Sequence, residues 1–240
     1  MNKAKLSMLS MMTALSIFSA SSSTAAPVIL IGNNFDLTYD NSLAGLFGTP
    51  TLSNDSIFFT PIAFKAESLN GNGVVTANST INLSIIEHAN RNITGFSLLE
   101  RGDYRLVGAN SAVGVGGQTR VFDISNPFIE NNTAITSTSN FSLINTIVDS
   151  STHNWTSSSV ISVLDPQWNN TKAYNYTIEN LLTAYTDLSV IGPKVAFIEK
   201  KFAGSSISIV VTTVPEADTY AMMLAGLGFM GFVSRRRKAA

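Results

Sequence analysis

Carboxylates and histidines are the side chains of this chain that are capable of acid–base or metal chemistry. Glu87, Glu100 and Asp103 lie close together in the sequence, and a pair of carboxylates can hydrolyse a glycosidic bond. Arginines flank all three, so we interpret them as solvated charges at a hairpin. His88 and His153 have no second histidine at ligand spacing, and no nucleophile motif accompanies them. The sequence therefore predicts no catalytic residue, metal site or cofactor.

Aromatic side chains offer a second kind of chemistry, the stacking of sugar rings. Trp155 and Trp168, with Tyr174 and Tyr176 nearby, could form such a platform, although packing in the core is the favoured use. Scattered aspartates leave calcium binding open, without an EF-hand loop to support it. A carbohydrate- or calcium-dependent binding module is therefore an alternative, with Trp155 and Trp168 as weak ligand-binding candidates.

Composition excludes several classes of function. Between residues 26 and 213 the chain has nine lysines and arginines against fourteen aspartates and glutamates, a formal charge of −5, with no basic stripe. A nucleic-acid partner is therefore not expected. The chain has no cysteine, which excludes disulfides, thiolate metal sites and cysteine nucleophiles.

The last 27 residues, 214–240, have three consecutive parts. Val214, Pro215 and Glu216 come first, and an apolar run over 220–233 follows. A basic cluster ends the run; its members are Arg235, Arg236, Arg237 and Lys238. As a helix the apolar run is about 21 Å long. A bilayer core is roughly 30 Å thick. A tyrosine at one membrane interface and long arginine side chains that reach the other interface cover part of the difference. We expect a single transmembrane helix with its C-terminus in the cytoplasm.

Together these three parts resemble the PEP-CTERM sorting signal. The resemblance covers about the last tenth of the chain and nearly every position of it, except that Ala217 stands where a second proline is usual. It implies processing by exosortase in a Gram-negative bacterium that secretes exopolysaccharide. It also implies an inner-membrane intermediate that is then delivered to the cell surface or extracellular matrix, as in a biofilm. The same tail is known as an ice-binding protein C-terminal domain, which implies no ice binding by the rest of the chain.

The other end of the chain has the features of a secretory signal peptide. Lys3 and Lys5 precede a mostly apolar stretch over 6–20, and small residues surround the expected cleavage site after Ala25. We therefore expect three parts: a signal peptide over 1–25, an extracytoplasmic domain over 26–213 and the sorting signal over 214–240.

Alternating apolar and polar residues between these ends predict an all-β body, an antiparallel β-sandwich or jelly roll. The predicted strands are short and separated by Gly, Asn and Asp; they cover 56–64, 73–77, 81–85, 93–99, 104–107, 119–124, 140–148, 155–164, 173–182, 194–200 and 206–211. We expect a turn at 101–103, a glycine loop at 114–117 and one helix near 177–187, where apolar residues recur at helical spacing.

These observations favour a non-enzymatic, exported surface or matrix protein that is sorted by exosortase and associated with exopolysaccharide. A carbohydrate- or calcium-dependent binding module is the alternative hypothesis, and an extracellular hydrolase is the least favoured one.

Overall fold

The computed structural model describes residues 26–124, 136–189, 192–201 and 205–238, so the predicted signal peptide over 1–25 lies outside the described residues. Thirteen strands run through these ranges, and they are β1 Val28–Ile31, β2 Phe35–Tyr39, β3 Thr51–Ser53, β4 Ser56–Phe59, β5 Lys65–Leu69, β6 Gly73–Glu87, β7 Arg91–Val107, β8 Ser111–Asp123, β9 Thr136–Asn145, β10 Thr152–Ser162, β11 Ala173–Thr186, β12 Val195–Glu199 and β13 Ile207–Pro215. Short 3-10 helices cover Asn41–Leu43, Gly45–Phe47 and Pro166–Trp168, and one α-helix, α1, covers Ala217–Lys238.

The strands form two antiparallel sheets. The first sheet has the order β1-β2-β6-β11-β8-β9. The second has the order β3-β4-β13-β7-β12-β5, and β10 pairs with the other edge of β7. Along one edge, β7 pairs first with β13 and then with β12, because it is long enough to serve both. The predicted antiparallel all-β body is confirmed.

The two sheets face each other across one hydrophobic core. Phe96 of β7 stacks on Tyr176 of β11, with ring centroids 5.1 Å apart, and meets Tyr174 edge to face at 5.7 Å. Alternate residues of β11 point inward, so that Tyr174, Tyr176, Ile178 and Leu182 are all buried. Aromatic packing between β7 and β11 therefore holds the sheets together at the middle of the body.

Three local predictions were wrong. The helix expected near 177–187 is part of β11, which pairs along its length with β6 on one side and β8 on the other. Hydrogen bonding to a strand on each side makes this segment a strand despite the helical spacing of its apolar residues. The spacing looked helical because the inward-facing residue 180 is an asparagine, which interrupts the alternation of apolar and polar residues. The glycine loop expected at 114–117 is part of β8. The strands predicted at 73–77 and 81–85 are confirmed, and both belong to one strand, β6.

The turn expected at 101–103 is also absent, because β7 continues through it. Gly102 is needed there for close approach: a Cβ atom would stand 2.0 Å from the carbonyl oxygen of Glu199 and 2.6 Å from the indole of Trp155. The absence of a side chain at Gly102 therefore allows a neighbouring backbone and a tryptophan to pack closely against β7, as glycine within a strand often does.

Candidate functional site

The predicted sorting tripeptide lies on the body rather than beyond it. Val214 and Pro215 are the last residues of β13, and they pair with Asn92 and Arg91 at the start of β7. The amide of Glu216 donates a hydrogen bond of 3.1 Å to the carbonyl oxygen of Asn90. Pro215 is tolerated because it ends the strand, where its missing N–H leaves no ladder bond broken in the middle of the sheet.

A lysine on the body holds the acidic residue of this tripeptide. Lys172 Nζ lies 2.8 Å from Glu216 Oε1 and 2.5 Å from Glu87 Oε1. Glu87 is itself buried, and its other oxygen accepts a 3.0 Å hydrogen bond from the amide of Ile93. Burial opposes the charge on Lys172, but the hydrogen bonds to Glu216 and Glu87 and their negative charges raise the pKa of this lysine above its ordinary value.

The helix predicted at the C-terminal end is present as α1, which starts immediately after Glu216. Its apolar side chains from 220 to 231 are exposed, and Arg235 near its end is exposed too. Among the described residues, no helix is both long enough and apolar enough to cross a membrane. The transmembrane role predicted for 220–233 is therefore not supported.

The two tryptophans predicted as weak ligand-binding residues are both buried, and each has only 3% of its surface exposed. Trp155 donates a 3.1 Å hydrogen bond from Nε1 to the carbonyl oxygen of Glu199. Trp168 stacks on Tyr174, with ring centroids 6.1 Å apart. Neither indole has an exposed face on which a sugar ring could stack, so both serve the core.

The carboxylates near the predicted hairpin are not the solvated charges that the sequence indicated. Glu87 binds Lys172 as described, and Glu100 is fully buried in an ion pair with Lys200, with 2.5 Å between Oε2 and Nζ. Burial, and then the negative charge of Glu199, raise the pKa of Asp103. Within the described ranges, no group of three or more histidine, aspartate or glutamate side chains is placed to hold a metal ion.

A polar groove that the sequence did not predict lies on the outer face of the first sheet. A hollow of about 540 Å³ crosses β6, β11 and β8. Its floor includes Gly116, where a Cβ atom would meet nothing within 4 Å, so the missing side chain opens the groove. The exposed side chains around it are Asn78, Thr80, Arg120 and Glu179, and Gln118 is half-buried among them.

The groove continues into a mostly apolar hollow of about 350 Å³ along β8 and β11, where Leu181 and Tyr185 lie. In the polar part, Arg120 donates a hydrogen bond to Gln118, which in turn donates to Asn140 at 2.7 Å. Amide, guanidinium and carboxylate groups that line a concave surface can hydrogen-bond the hydroxyl groups of a sugar. The groove was not predictable from local sequence, because the pattern predicts a loop at 114–117 and a helix near 177–187.

Comparison with known proteins identifies the C-terminal part of the chain. Residues 213–238 match the PEP-CTERM protein-sorting motif. The chain carries a PEP-CTERM sorting motif. This motif indicates an exported protein that is processed by exosortase, as the resemblance implied.

No curated protein matches this sequence. Among solved structures, one similar chain is TmCBM61 in complex with β-1,4-galactotriose, at 8% sequence identity and a TM-score of 0.18. That alignment covers 62% of this chain and 88% of the other. A likeness of this size carries no argument about the fold or ligand of the present body.

Proposed function

We propose that this protein is a non-enzymatic component of the cell surface or extracellular matrix, delivered through its PEP-CTERM motif and associated with exopolysaccharide. The observation that carries the proposal is the sorting motif itself, which is continuous with β13 and therefore belongs to the body that it delivers. Two of the carboxylates that could have served an enzyme, Glu87 and Glu100, are held by lysines, which supports a structural use for them.

Replacing Pro215 and Glu216 by alanine tests the sorting part of this proposal. In a Gram-negative host that contains exosortase, the variant should remain in the cell envelope with its tail uncleaved, whereas the wild-type protein reaches the surface. Glu67→Gln, an exposed change in the edge strand β5 of the same sheet, is the matched control and should be delivered normally. Surface delivery of the double variant at the wild-type level would contradict the proposal.

The groove on the first sheet favours a second candidate function, that of a dedicated carbohydrate-binding module. Its exposed Arg120 and Glu179 can each make two or more hydrogen bonds to vicinal hydroxyls, and Tyr185 supplies an aromatic ring at the apolar end. Polar groups converging on a concave surface are the usual mark of a small-molecule or glycan site.

A glycan array distinguishes the two functions. A binding module should retain a defined set of glycans, and Arg120→Ala and Glu179→Ala should each reduce that binding, while Glu67→Gln on the other sheet should not. A matrix component without a dedicated site should give no glycan signal that depends on Arg120 or Glu179, even though it is delivered to the surface.

A further inference from the structure

Three polar side chains meet in the core between the two sheets. Glu100 comes from β7, Asn180 comes from β11 of the opposite sheet, and Lys200 directly follows β12. All three are at most 1% exposed. Asparagine, glutamate and lysine are each costly to bury, so their convergence at one point needs a reason.

The carboxylate of Glu100 bridges the other two side chains. Its Oε2 lies 2.5 Å from Lys200 Nζ, and its Oε1 accepts a hydrogen bond from Asn180 Nδ2. The amide oxygen of Asn180 is buried without a hydrogen-bond partner. The amine of Lys200 and the amide of Asn180 therefore both contact the same carboxylate, one at each oxygen.

Aromatic rings close the site around the amine. Lys200 Nζ lies 5.1 Å from the ring centroid of Phe64 and 5.4 Å from that of Trp155. This burial lowers the pKa of Lys200, and the nearby Glu100 only partly opposes the effect. A lysine in such surroundings is more readily neutral, and the neutral amine is the nucleophilic form.

We propose that Lys200 and Asn180 are joined by an intramolecular amide bond whose formation is assisted by Glu100. The site places a nucleophilic amine, a carboxamide electrophile and a carboxylate that can carry protons within one enclosed volume. Nothing in the proposal depends on the ligand or on the sorting of the protein.

The reaction balances without any further reactant. A proton passes from the Lys200 ammonium to Glu100, and the neutral Nζ then attacks Cγ of Asn180, which moves the carbonyl electron pair onto Oδ1. Glu100 returns a proton to Nδ2 and takes up a second proton from Nζ. As the carbonyl re-forms, the Cγ–Nδ2 bond breaks, and its electron pair leaves with the nitrogen as ammonia. The product is an Nζ–Cγ amide, and no group is oxidised or reduced.

Such a bond would connect the two sheets covalently. Asn180 belongs to the central strand of the first sheet, and Lys200 follows a strand of the second. A chain without cysteine has no disulfide for this purpose. A cross-link between sheets would restrict the unfolded chain in the way that disulfides do in other exported proteins.

Peptide mapping of the purified, folded wild-type protein tests the proposal. Trypsin cleaves after Lys194 and so separates Asn180 from Lys200 in the backbone. We expect peptides 173–194 and 195–201 to remain joined, with two N-termini, uncleaved at Lys200 and lighter than their sum by one ammonia. Separate peptides of unmodified mass would overturn the proposal. Loss of ammonia from 173–194 alone would also overturn it, because that result indicates a succinimide at Asn180.

Variants assign the roles of the three residues. Lys200→Met and Asn180→Ala should abolish the joined peptide, and Glu100→Gln, which keeps the shape but not the proton carrier, should abolish it or reduce its yield at least tenfold. Lys65→Met, an exposed lysine of β5, is the control and should leave it unchanged. A fully joined Glu100→Gln protein would overturn the role of Glu100. The wild-type map decides the proposal even if a core variant fails to fold.

Discussion

Two lysine–glutamate contacts in this protein use the same residue types in opposite surroundings. Lys200 and Glu100 are both fully buried between the sheets, whereas Lys172 and Glu216 are 48% and 30% exposed at the junction between the body and its tail. The pKa of Lys200 is lowered because burial is the largest influence on it. The pKa of Lys172 is raised because its hydrogen bonds to Glu216 and Glu87 together outweigh burial.

The difference shows that burial determines how strongly an ion pair affects the stability of the fold. A pair in the core pays a large desolvation cost and is intolerant of losing one partner, so it fixes the position of the strands that carry it. An exposed pair contributes little free energy and weakens in salt, so it can open. The contact at Lys172 therefore suits a tail that has to be released to a processing enzyme, and the contact at Lys200 suits a permanent connection.

Removing the buried amine should have the largest effect. Lys200→Met leaves the Glu100 carboxylate in the core without its cation and also removes the proposed amide bond, so we expect the free energy of unfolding to fall by at least about 3–5 kcal/mol. Chemical denaturation measures this loss. Lys201→Met, which changes an exposed neighbour, is the control and should cost less than about 0.5 kcal/mol. A loss below about 1 kcal/mol for Lys200→Met would show that the two contacts are energetically alike.

Gly102, which lies beside the buried ion pair, tests how closely the residues around that pair are packed. Gly102→Ala should destabilise the protein by about 1–3 kcal/mol, because the new Cβ would overlap the Glu199 carbonyl and the Trp155 indole that close the site over Lys200. Thermal unfolding detects the change. Gly116→Ala lies in a strand of the other sheet with open space around its Cβ, so an equal loss in that variant would contradict the steric explanation.

The exposed contact should be weak by the same measure. Glu216→Gln removes the charge that Lys172 holds, and we expect the stability of the body to change by less than about 1 kcal/mol. The junction near residue 216 should nevertheless become more susceptible to limited proteolysis, and added salt should increase cleavage of the wild-type protein in the same way. A junction that is insensitive to both the substitution and salt would show that the strand pairing of Pro215, rather than Lys172, holds the tail.

A third charged contact should give the smallest effect. His88 Nε2 lies 2.8 Å from Asp36 Oδ1 and Nδ1 lies 3.1 Å from the carbonyl oxygen of Asn33, and the hydrogen bond to Asp36 is the main cause of the raised pKa of His88. Its stabilisation is complete below the ordinary histidine pKa of about 6.5 and is lost as the pH rises through the raised pKa. Both side chains are about one-third exposed, so solvent screening keeps the loss below about 1 kcal/mol.

Comparing unfolding free energies at about pH 5.5 and about pH 9 for the wild type and His88→Gln isolates this contribution. The wild type should lose slightly more stability than the variant over this interval. A loss that is equal in the two proteins would show that His88 contributes nothing through its charge.

Several features were predictable because each depends on residues that are adjacent in the sequence. The sorting motif is such a feature, since Val214, Pro215 and Glu216 are followed at once by the apolar and basic segments. The all-β character was predictable for the same reason, because alternation along 81–85 and 207–211 reports one buried face. The groove on the first sheet was not predictable, because its side chains come from three strands whose pairing no local pattern specifies.

The sorting motif of this protein and the all-β class of its body can both be found from the sequence, because each depends on contiguous residues. Which polar residues are buried depends instead on how the two sheets pack. Asn180 and Lys200 lie 80 and 100 positions from Glu100, and they meet it because β11 of one sheet faces β7 and β12 of the other. Glu100 looked like a solvated charge because its neighbours in the sequence are charged, but its neighbours in space are the aromatic rings and amine of the core. Burial is a property of the packed sheets, and local sequence does not record it.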